Sequence, residues 1–250
     1  MAQNHLIAEA AREIVNRGNI VALTGAGISV DSGIPDFRSP EGLWSRFDPM
    51  EYAHIDAFRS NPVKVWTMLI ELRKMVVDAK PNPGHVGLME LERLGFLHTI
   101  ITQNVDHLHQ RAGNNDVIEF HGSDHYLVCL SCGSRFSHET CAGKGFPPRC
   151  TCNSILKPDV VFFGEPIPLD AQYRAQKVAR SCNIMMVVGT SAVVYPAGEI
   201  PFLAKRNGAF VIEINIERSA LTGSITDIHL EGSSSVLLPL LVEEIRSLSA

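Results

Sequence analysis

Two pairs of closely spaced cysteines could together bind a metal ion. They are Cys129-x2-Cys132 and Cys150-x-Cys152. The pairs are separated by 17 residues, and four thiolates complete the tetrahedral coordination that zinc prefers. Such a site has no open position, so it is structural rather than catalytic. The sequence therefore predicts one structural Zn²⁺ on these four cysteines, with His138 and Cys141 as alternative ligands because the second pair is unusually tight.

The glycine-rich stretch around Gly25 and Gly27 is a second candidate for chemistry. An apolar run without alternation, residues 19–23, precedes it and is typical of a strand covered on both faces. Glycine after such a strand permits a tight turn and lets backbone N–H groups approach a phosphate. A simple connecting turn is the alternative, because Val30 stands where the dinucleotide fingerprint has a third glycine. Three prolines in residues 34–49 exclude the second strand of a dehydrogenase, which indicates a nucleotide loop of another kind.

Polar residues after two later apolar runs form a third group. Asn104 and Asp106 follow residues 98–102, and His121 follows residues 117–120. Carboxamides and a carboxylate can hydrogen-bond ribose hydroxyls and a nicotinamide amide, and a histidine can accept a proton near neutral pH. The alternatives are a helix cap for Asn104 and Asp106 and a structural role for His121.

Two further polar turns follow predicted strands. Gly189-Thr190-Ser191 comes after residues 184–188, and Asn215 comes after residues 210–214. Each alone is compatible with an ordinary strand-to-helix turn. Because open α/β sheets bind ligands at the carboxyl ends of their strands, the convergence of four such loops predicts a binding crevice.

The elements that must position these residues alternate along the chain. Helices are predicted over residues 4–17, 62–79, 84–94, 105–112, 170–181, 197–206 and 234–248. Strands are predicted over residues 19–23, 98–102, 117–120, 159–163, 184–188, 210–214 and 227–230. This alternation predicts an α/β fold with a Rossmann-type doubly wound parallel sheet. Residues 39–59 are predicted to be irregular, and residues 124–155 to be an insertion.

Length and composition are those of an ordinary globular protein. The chain has 250 residues, of which 45% are hydrophobic and 20% charged, enough for one large domain and an insertion. The net charge of -5 and the lack of a Lys/Arg run argue against direct nucleic-acid binding. With no secretory signal and no long apolar run, the sequence predicts a cytoplasmic protein without a membrane partner. It leaves the oligomeric state open.

In combination these segments resemble the sirtuins, the NAD-dependent protein-lysine deacylases, of bacterial or archaeal type. The resemblance covers nearly the whole chain, with the family's order and spacing. The matching segments are residues 25–29, 33–38, 102–106, 121–122, the cysteine pairs, 157–165 and 189–191. The single spacer in Cys150-x-Cys152 departs from the commoner spacer of two residues.

The resemblance implies two domains. Residues 1–36, 84–123 and 156–250 would form a Rossmann-type NAD-binding large domain. Residues 37–83, a helical module, and residues 124–155, a zinc ribbon, would form the small domain. NAD, as co-substrate, and an acyl-lysine peptide would meet between them.

The resemblance also assigns roles to single residues. The cofactor-binding residues would be Gly25, Ala26, Gly27, Val30, Phe37, Arg38, Gln103, Asn104, Val105, Asp106, His121, Gly189, Thr190, Ser191, Asn215 and Ile228. Asn104 would orient the nicotinamide ribose, Val105 and Asp106 would hold the nicotinamide amide, and His121 would be the general base. The peptide would add as a β-strand, and its binding residues would be Val160, Phe162, Gly164, Glu165, Val193 and Tyr195.

The activity implied by the resemblance is NAD-dependent protein-lysine deacetylation. It would release nicotinamide, O-acetyl-ADP-ribose and free lysine from acyl-lysine-bearing proteins or peptides. A mono-ADP-ribosyltransferase and a broader long-chain deacylase are the alternatives. A non-catalytic NAD-binding module is disfavoured by the presence of Asn104 and His121. The sequence does not identify the protein substrates or any regulatory partner.

Acyl selectivity is expected to depend on Leu69 and Leu72. These residues match the positions at which sirtuins that prefer succinyl or malonyl lysine have a tyrosine and an arginine. Two leucines offer no cation or hydroxyl to an acyl carboxylate, so its burial would be costly. The sequence therefore predicts acetyl and longer apolar acyl groups, although a shift of one residue would bring Arg73 into the pocket.

Overall fold

The computed structural model describes residues 2–141 and 145–249. The chain forms two compact units. The first comprises the described parts of Met1–Pro35, Ala79–Phe120 and Leu169–Ala250, and the second those of Asp36–Asp78 and His121–Pro168. Residues 156–168 thus lie in the second unit, whereas the sequence prediction placed them in the large domain.

The strands of the described residues form two sheets. In chain order they are β1 (Ile20–Thr24), β2 (Leu97–Thr102), β3 (Val117–Glu119), β4 (Gly122–Cys129), β5 (Arg135–Ser137), β6 (Leu156–Val160), β7 (Ile184–Val188), β8 (Phe210–Asn215) and β9 (Ile228–Glu231). The first unit contains a parallel sheet in the order β3-β2-β1-β7-β8-β9. The second contains an antiparallel sheet in the order β5-β4-β6.

Helices cover the parallel sheet and build most of the second unit's remaining core. They are α1 (Ala2–Arg17), α2 (Pro49–Tyr52), α3 (Ile55–Ser60), α4 (Pro62–Asp78), α5 (Pro83–Arg93), α6 (Leu108–Ala112), α7 (His138–Cys141), α8 (Leu169–Ser181), α9 (Ile200–Arg206) and α10 (Ser234–Ser249). Helices α1, α5 and α10 pack together, and α8 packs with α9. No helix within residues 2–141 and 145–249 is both long and apolar enough to cross a membrane.

Strand β1 lies where the strand order of the parallel sheet reverses. It pairs with β2 on one side and with β7 on the other. All five residues of β1 and of β7 are buried, as expected for parallel strands covered on both faces. Thr24 is level with Thr102 and Val188, so the turns after these three strands begin side by side. In open α/β sheets this switch point is where ligands bind.

The second unit has its own core around α3, α4 and the antiparallel sheet. The buried members include Phe58, Trp66, Leu127, Leu156 and Phe162. The indole nitrogen of Trp66 donates to the Leu156 carbonyl at 2.9 Å, which ties α4 to β6. The stretch predicted to be irregular contains the short helices α2 and α3, and the Asp48 side chain caps α2 by accepting from the Met50 N–H.

The prediction that residues 159–163 form a strand of the parallel sheet is wrong. The structure instead forms β6, which pairs antiparallel with β4 in the second unit. Residues 160–163 form an apolar run that is compatible with a strand, but an apolar run does not specify its partner. Strand β4, which the sequence analysis did not anticipate, supplies that partner.

Candidate functional site

The turns after β1 and β7 pack against each other through glycines. The Gly25 N–H donates to the Val188 carbonyl at 3.1 Å, and the Gly27 N–H donates to the Gly189 carbonyl at 2.9 Å. A Cβ on Gly27 would lie 2.8 Å from the Gly189 Cα, and one on Gly189 would lie 2.4 Å from the Ile28 nitrogen. These glycines are therefore needed for close backbone packing. Because the two N–H groups are bonded to protein, a phosphate at this turn requires other backbone groups.

A buried network centred on Ser29 joins the glycine turn to the turn after β2. The Ser29 hydroxyl donates to Asp106 Oδ2 at 2.7 Å and accepts from Asn104 Nδ2 at 3.1 Å. Asn104 Nδ2 also donates to the Gly25 carbonyl at 3.1 Å. All three residues are buried: Ser29 is 1% exposed, Asn104 is 9% exposed and Asp106 is 5% exposed. The network therefore holds the predicted ribose-orienting residue in one position.

The Asp106 carboxylate bonds both to the start of a helix and to the buried network. Its Oδ1 accepts from the Leu108 N–H at 2.9 Å, which satisfies a backbone donor at the start of α6. Its Oδ2 is the acceptor for Ser29. Burial raises the pKa of Asp106, and the hydrogen bonds from Leu108 and Ser29 oppose that change. The carboxylate thus bonds the first N–H of α6 from the position before the N-cap residue His107, and it is also part of the buried network.

Hydrogen bonds of Gln103, Thr190 and Asn215 connect four strand ends of the first unit. Gln103 Nε2 donates to Thr190 Oγ1 at 3.0 Å and to the Thr24 carbonyl at 3.3 Å. Asn215 Nδ2 donates to the Thr190 carbonyl at 3.1 Å. The structure therefore brings these predicted cofactor-binding residues together at the carboxyl ends of β1, β2, β7 and β8.

The other predicted cofactor-binding residues of the first unit lie on the turns after β1, β2 and β7, with the exception of Ile228. Ala26, Val105 and Ser191 are half-buried, and Val30 is exposed. Ile228 lies elsewhere, because the register pairs it with Ile212.

The position of Ile228 does not favour the predicted contact with the cofactor. Ile212 is three residues before Asn215, which corresponds to about 10 Å along a strand. Ile228 is buried in the core. The chain segment next to Asn215 is instead Gly232, whose N–H donates to the Asn215 carbonyl at 2.8 Å. The strand predicted over residues 227–230 ends one residue before the end of β9 and does not reach Gly232.

Two buried histidines lie beneath the turn after β2. His109 Nε2 is 2.9 Å from Thr24 Oγ1, which donates to Thr102 Oγ1 at 2.9 Å. The His85 and His109 rings are 5.0 Å apart, and His85 Nδ1 accepts from the Asn82 N–H at 3.3 Å. Burial lowers the pKa of His85 to about 4. Burial, together with the neighbouring His85, lowers the pKa of His109 to about 3.

The histidine pair should make the folded state sensitive to acid. An unfolded histidine titrates near ~6.5, so below that pH the unfolded chain binds more protons than the folded chain. The free energy of unfolding should therefore be highest above pH ~6.5 and fall as the pH drops toward about 4, by roughly 4 kcal/mol between about pH 7 and pH 5 for the pair. The measurement is chemical denaturation of wild type and His109→Gln across this range.

The free energy of unfolding of the His109→Gln variant should fall less steeply with decreasing pH than that of the wild type. The exposed His5 provides the matched control, and His5→Gln should keep the wild-type slope. Equal slopes for wild type and His109→Gln would contradict the assignment of this acid sensitivity to His109.

The second unit brings the four predicted zinc ligands together. All four sulfurs of Cys129, Cys132, Cys150 and Cys152 lie within 4.8 Å of one another. Two pairs of them, Cys129 with Cys152 and Cys132 with Cys150, are 3.5 Å apart. Sulfurs at roughly 2.3 Å from one tetrahedral centre would be about 3.8 Å apart, so the cluster fits a zinc ion.

The alternative zinc ligands lie outside this cluster. His138 Nε2 is 3.6 Å from Asp124 Oδ1, and Cys141 is buried in the second unit's core. Within the residues that the structure describes, the cysteine group that could hold a metal contains neither of them.

Phe37, Arg38 and His121 also belong to the second unit. Asp36 Oδ1 accepts from the Arg38 and Ser39 N–H groups, each at 2.8 Å, which fixes a tight turn that carries Phe37. Phe37 is 41% exposed, and the centre of its ring lies 5.1 Å from that of the Trp44 ring. The His121 carbonyl accepts from the Val161 N–H at 2.8 Å. The predicted roles of these residues toward NAD stay predictions.

The predicted peptide-binding residues are divided between the two units. Val160, Phe162, Gly164 and Glu165 form one turn of the second unit, and Val193 and Tyr195 lie in the first. Phe162 is 5% exposed and its ring packs edge-on against another ring of the core. Val193 and Tyr195 are exposed. Strand addition by a peptide stays a prediction.

Comparison with known proteins identifies the family. A model of the Sir2 family matches residues 25–196. The chain belongs to the Sir2 family. The NAD-dependent protein deacylase of Pyrococcus furiosus is 43% identical over 250 residues, which cover 98% of this chain and 100% of that protein.

Solved structures of Sir2 proteins share this fold over nearly the whole chain. A Sir2 homologue in complex with NAD has 42% identity and a TM-score of 0.90, covering 97% of this chain and 94% of that one. A Sir2 protein bound to a myristoylated histone peptide has 38% identity and a TM-score of 0.83, covering 98% of each chain. The resemblance to the sirtuins and the predicted α/β fold class are thereby confirmed.

The span matched by the Sir2 family model begins at the glycine turn and includes the cysteine cluster. It also includes Ser29, the residue that sequence reasoning left out of the site. Asn215 and Ile228 lie beyond the matched span.

Proposed function

We propose that this Sir2 family chain is an NAD-dependent protein-lysine deacetylase that releases nicotinamide, O-acetyl-ADP-ribose and free lysine. The observation that carries the proposal is the buried network in which Ser29 links Asn104 and Asp106. This network lies at the switch point of the sheet, where open α/β sheets bind ligands. A relative that is named an NAD-dependent protein deacylase and a similar structure that holds NAD support NAD as the co-substrate.

In this proposal Asn104 orients the ribose that bears nicotinamide, and Asp106 and Val105 bind the nicotinamide amide. An ionised carboxylate offers about four lone-pair sites. Asp106 uses two of them for Ser29 and Leu108, so it can still accept from an amide N–H. The buried network fixes the Asn104 and Asp106 side chains before substrate arrives, which lowers the entropic cost of aligning them with the substrate.

His121 is the proposed general base. The acyl oxygen of the modified lysine attacks the ribose carbon as nicotinamide leaves. His121 then takes a proton from the ribose hydroxyls, so that a ribose oxygen attacks the carbon of the acyl group. Water completes the release of free lysine and O-acetyl-ADP-ribose.

The substrate class proposed for this chain is an acyl-lysine-bearing protein or peptide. A structural relative bound to a myristoylated histone peptide supports a peptide substrate. The zinc ion would be held by Cys129, Cys132, Cys150 and Cys152 and would have a structural role, since four thiolates leave no coordination position for a substrate. The cytoplasmic location stays a prediction.

Mass spectrometry of an acetyl-lysine peptide tests the proposed function. Incubation with the protein and NAD should give the peptide without its acetyl group and an equal amount of O-acetyl-ADP-ribose. Incubation without NAD should leave the peptide unchanged. A peptide that gains ADP-ribose while keeping its acetyl group would instead support the mono-ADP-ribosyltransferase.

We expect kcat/KM to be at least about tenfold higher for acetyl-lysine than for succinyl-lysine on one peptide, where each tenfold is ~1.4 kcal/mol. Leu69 is 9% exposed in the second unit's core, and it offers no partner to a carboxylate. Arg73, the residue that a shifted register would use, donates to Asp124 Oδ2 at 2.6 Å. Its charge is therefore already paired.

The same assay should find that butyryl-lysine is accepted, because a longer apolar chain meets no desolvation cost. Leu72→Arg provides the matched variant, since it adds a cation at the predicted position and should raise the relative rate on succinyl-lysine. Equal rates on acetyl- and succinyl-lysine in the wild type would contradict the prediction.

A further inference from the structure

Lys157 in β6 is an unusually buried lysine. Its side chain is 3% exposed, and lysine is almost never fully buried unless it is paired. The ammonium donates to Glu165 Oε2 at 2.9 Å and to the Val160 carbonyl at 2.6 Å. It also lies 4.5 Å from the centre of the Phe162 ring. All of these contacts are made to one turn, residues 160–165.

The Glu165 carboxylate closes the same turn from its other end. Glu165 Oε2 accepts from the Phe162 N–H at 2.9 Å as well as from Lys157. The Glu165 N–H in turn donates to the Phe162 carbonyl at 3.0 Å. Side-chain and backbone bonds therefore fix the distance between the two ends of the turn.

The middle of the turn is held by the segment before α3. The Phe163 N–H donates to the Ala53 carbonyl at 2.9 Å, and the Phe163 carbonyl accepts from the Ile55 N–H at 3.0 Å. Gly164 has a φ of +85°, and a Cβ there would lie 2.8 Å from His54 Nε2. The edge that carries Val161 and Phe163 is thus paired. On the other edge, backbone groups of Val160 and Phe162 are bonded to Lys157 and Glu165, so a peptide strand would pair at the Gly164–Glu165 end of the segment.

We propose that Lys157 is a positioning residue for substrate: its buried ion pair with Glu165 sets the conformation of residues 160–165 in which they receive the acyl-lysine peptide. The inference rests on the proposed function and deepens it. It also changes the expected part of Glu165, whose carboxylate is committed to Lys157 and Phe162. Glu165 then meets the peptide through its backbone.

Stability alone is a weak explanation for this ion pair. A buried ion pair often gains nothing over apolar side chains of the same volume, because desolvation offsets the attraction between the charges. Burial lowers the pKa of Lys157, and Glu165 opposes that change. The pair instead supplies directional bonds to Val160 and Phe162, which two apolar side chains would not make.

The test compares Lys157→Met, Glu165→Gln and the double variant, each as the full chain. The direct readout is the Kd of an acetyl-lysine peptide by calorimetry without NAD, and the Kd of ADP-ribose is measured in parallel. Thermal denaturation reports stability. Lys64→Met is the matched control, because it removes an exposed ion pair with Glu51 in the same unit.

We expect Lys157→Met and the double variant to raise the peptide Kd by about tenfold or more, while the Kd of ADP-ribose changes less than about twofold. The double variant should regain much of the thermal stability lost in Lys157→Met, since it leaves no unpaired charge, yet it should not regain peptide affinity. Lys64→Met should bind the peptide like wild type.

Two results would count against the inference and are distinguishable. If the double variant bound the peptide as tightly as an active wild type, the positioning role would be overturned and the proposed function would stand. If the wild type neither bound nor deacetylated the peptide, the proposed function would be overturned and the inference with it.

Discussion

Replacing His121 with alanine should reduce deacetylation by about 10²- to 10⁴-fold, the usual contribution of a general base. The proposed reaction needs a proton acceptor for the ribose hydroxyls, and alanine cannot take that proton. His121 is half-buried, so loss of its ring removes less packing than loss of a core side chain. We therefore expect the fold and the binding of NAD to survive.

The measurement is kcat on an acetyl-lysine peptide at saturating NAD, with NAD affinity determined separately. The matched control is His125→Ala, which removes an exposed histidine four residues further along the chain and should retain wild-type turnover. A His121→Ala variant that keeps near-normal kcat would remove His121 from the mechanism. Loss of NAD affinity together with kcat would indicate a binding role instead.

The arrangement of the first unit could be predicted well because its signals are local. Buried strands such as β1 and β7 are unbroken apolar runs, and parallel strands need helices between them. The positions of Asn104 and Asn215 followed from this alternation, since Asn104 is the second residue after β2 and Asn215 is the last residue of β8. The ends of parallel strands must then meet at one edge.

The packing of the glycine turns could not be predicted from the sequence. The pattern marked Gly25, Gly27 and Gly189, and it interpreted the first two as a tight turn whose backbone N–H groups approach a phosphate. Their N–H groups in fact bond across to the neighbouring turn, and a Cβ would collide with it. A single sequence indicates that a position needs glycine without indicating which group comes close.

Ser29 was missed for a related reason. It was part of the motif that carried the family resemblance, but no local rule gives a serine after a glycine turn a buried polar role. Its importance comes from Asn104 and Asp106, more than 70 residues away along the chain. Contacts of that kind appear only when the register between β1 and β2 is known.

Removal of zinc should unfold the second unit and abolish activity at the same time. Cys129 and Cys150 lie in the hydrophobic core of that unit, with Trp66, Leu127 and Leu156. Without the ion, the four sulfurs would lose the bonds that hold β4 to the segment before β6. Structural zinc in small peptides contributes about 10–16 kcal/mol of apparent binding free energy, which is comparable to the whole stability of a typical domain.

Chelation followed by thermal denaturation and an activity assay measures this effect. Both Tm and deacetylation should fall together, and both should recover when zinc is returned. Cys129→Ala and Cys152→Ala should each lose the metal and show the same low Tm, with bound zinc quantified by elemental analysis.

Cys141→Ala is the control that separates the ligand set from the general effect of losing a cysteine. Cys141 is buried in the same core as Cys129 and Cys150, so its truncation costs some packing. Because its sulfur lies outside the cluster, this variant should nevertheless retain one equivalent of zinc. If Cys141→Ala lost the metal while Cys150→Ala kept it, Cys141 rather than Cys150 would be the fourth ligand. The structure favours Cys150, since its sulfur is already 3.5 Å from that of Cys132, close to the spacing that a shared tetrahedral ion imposes.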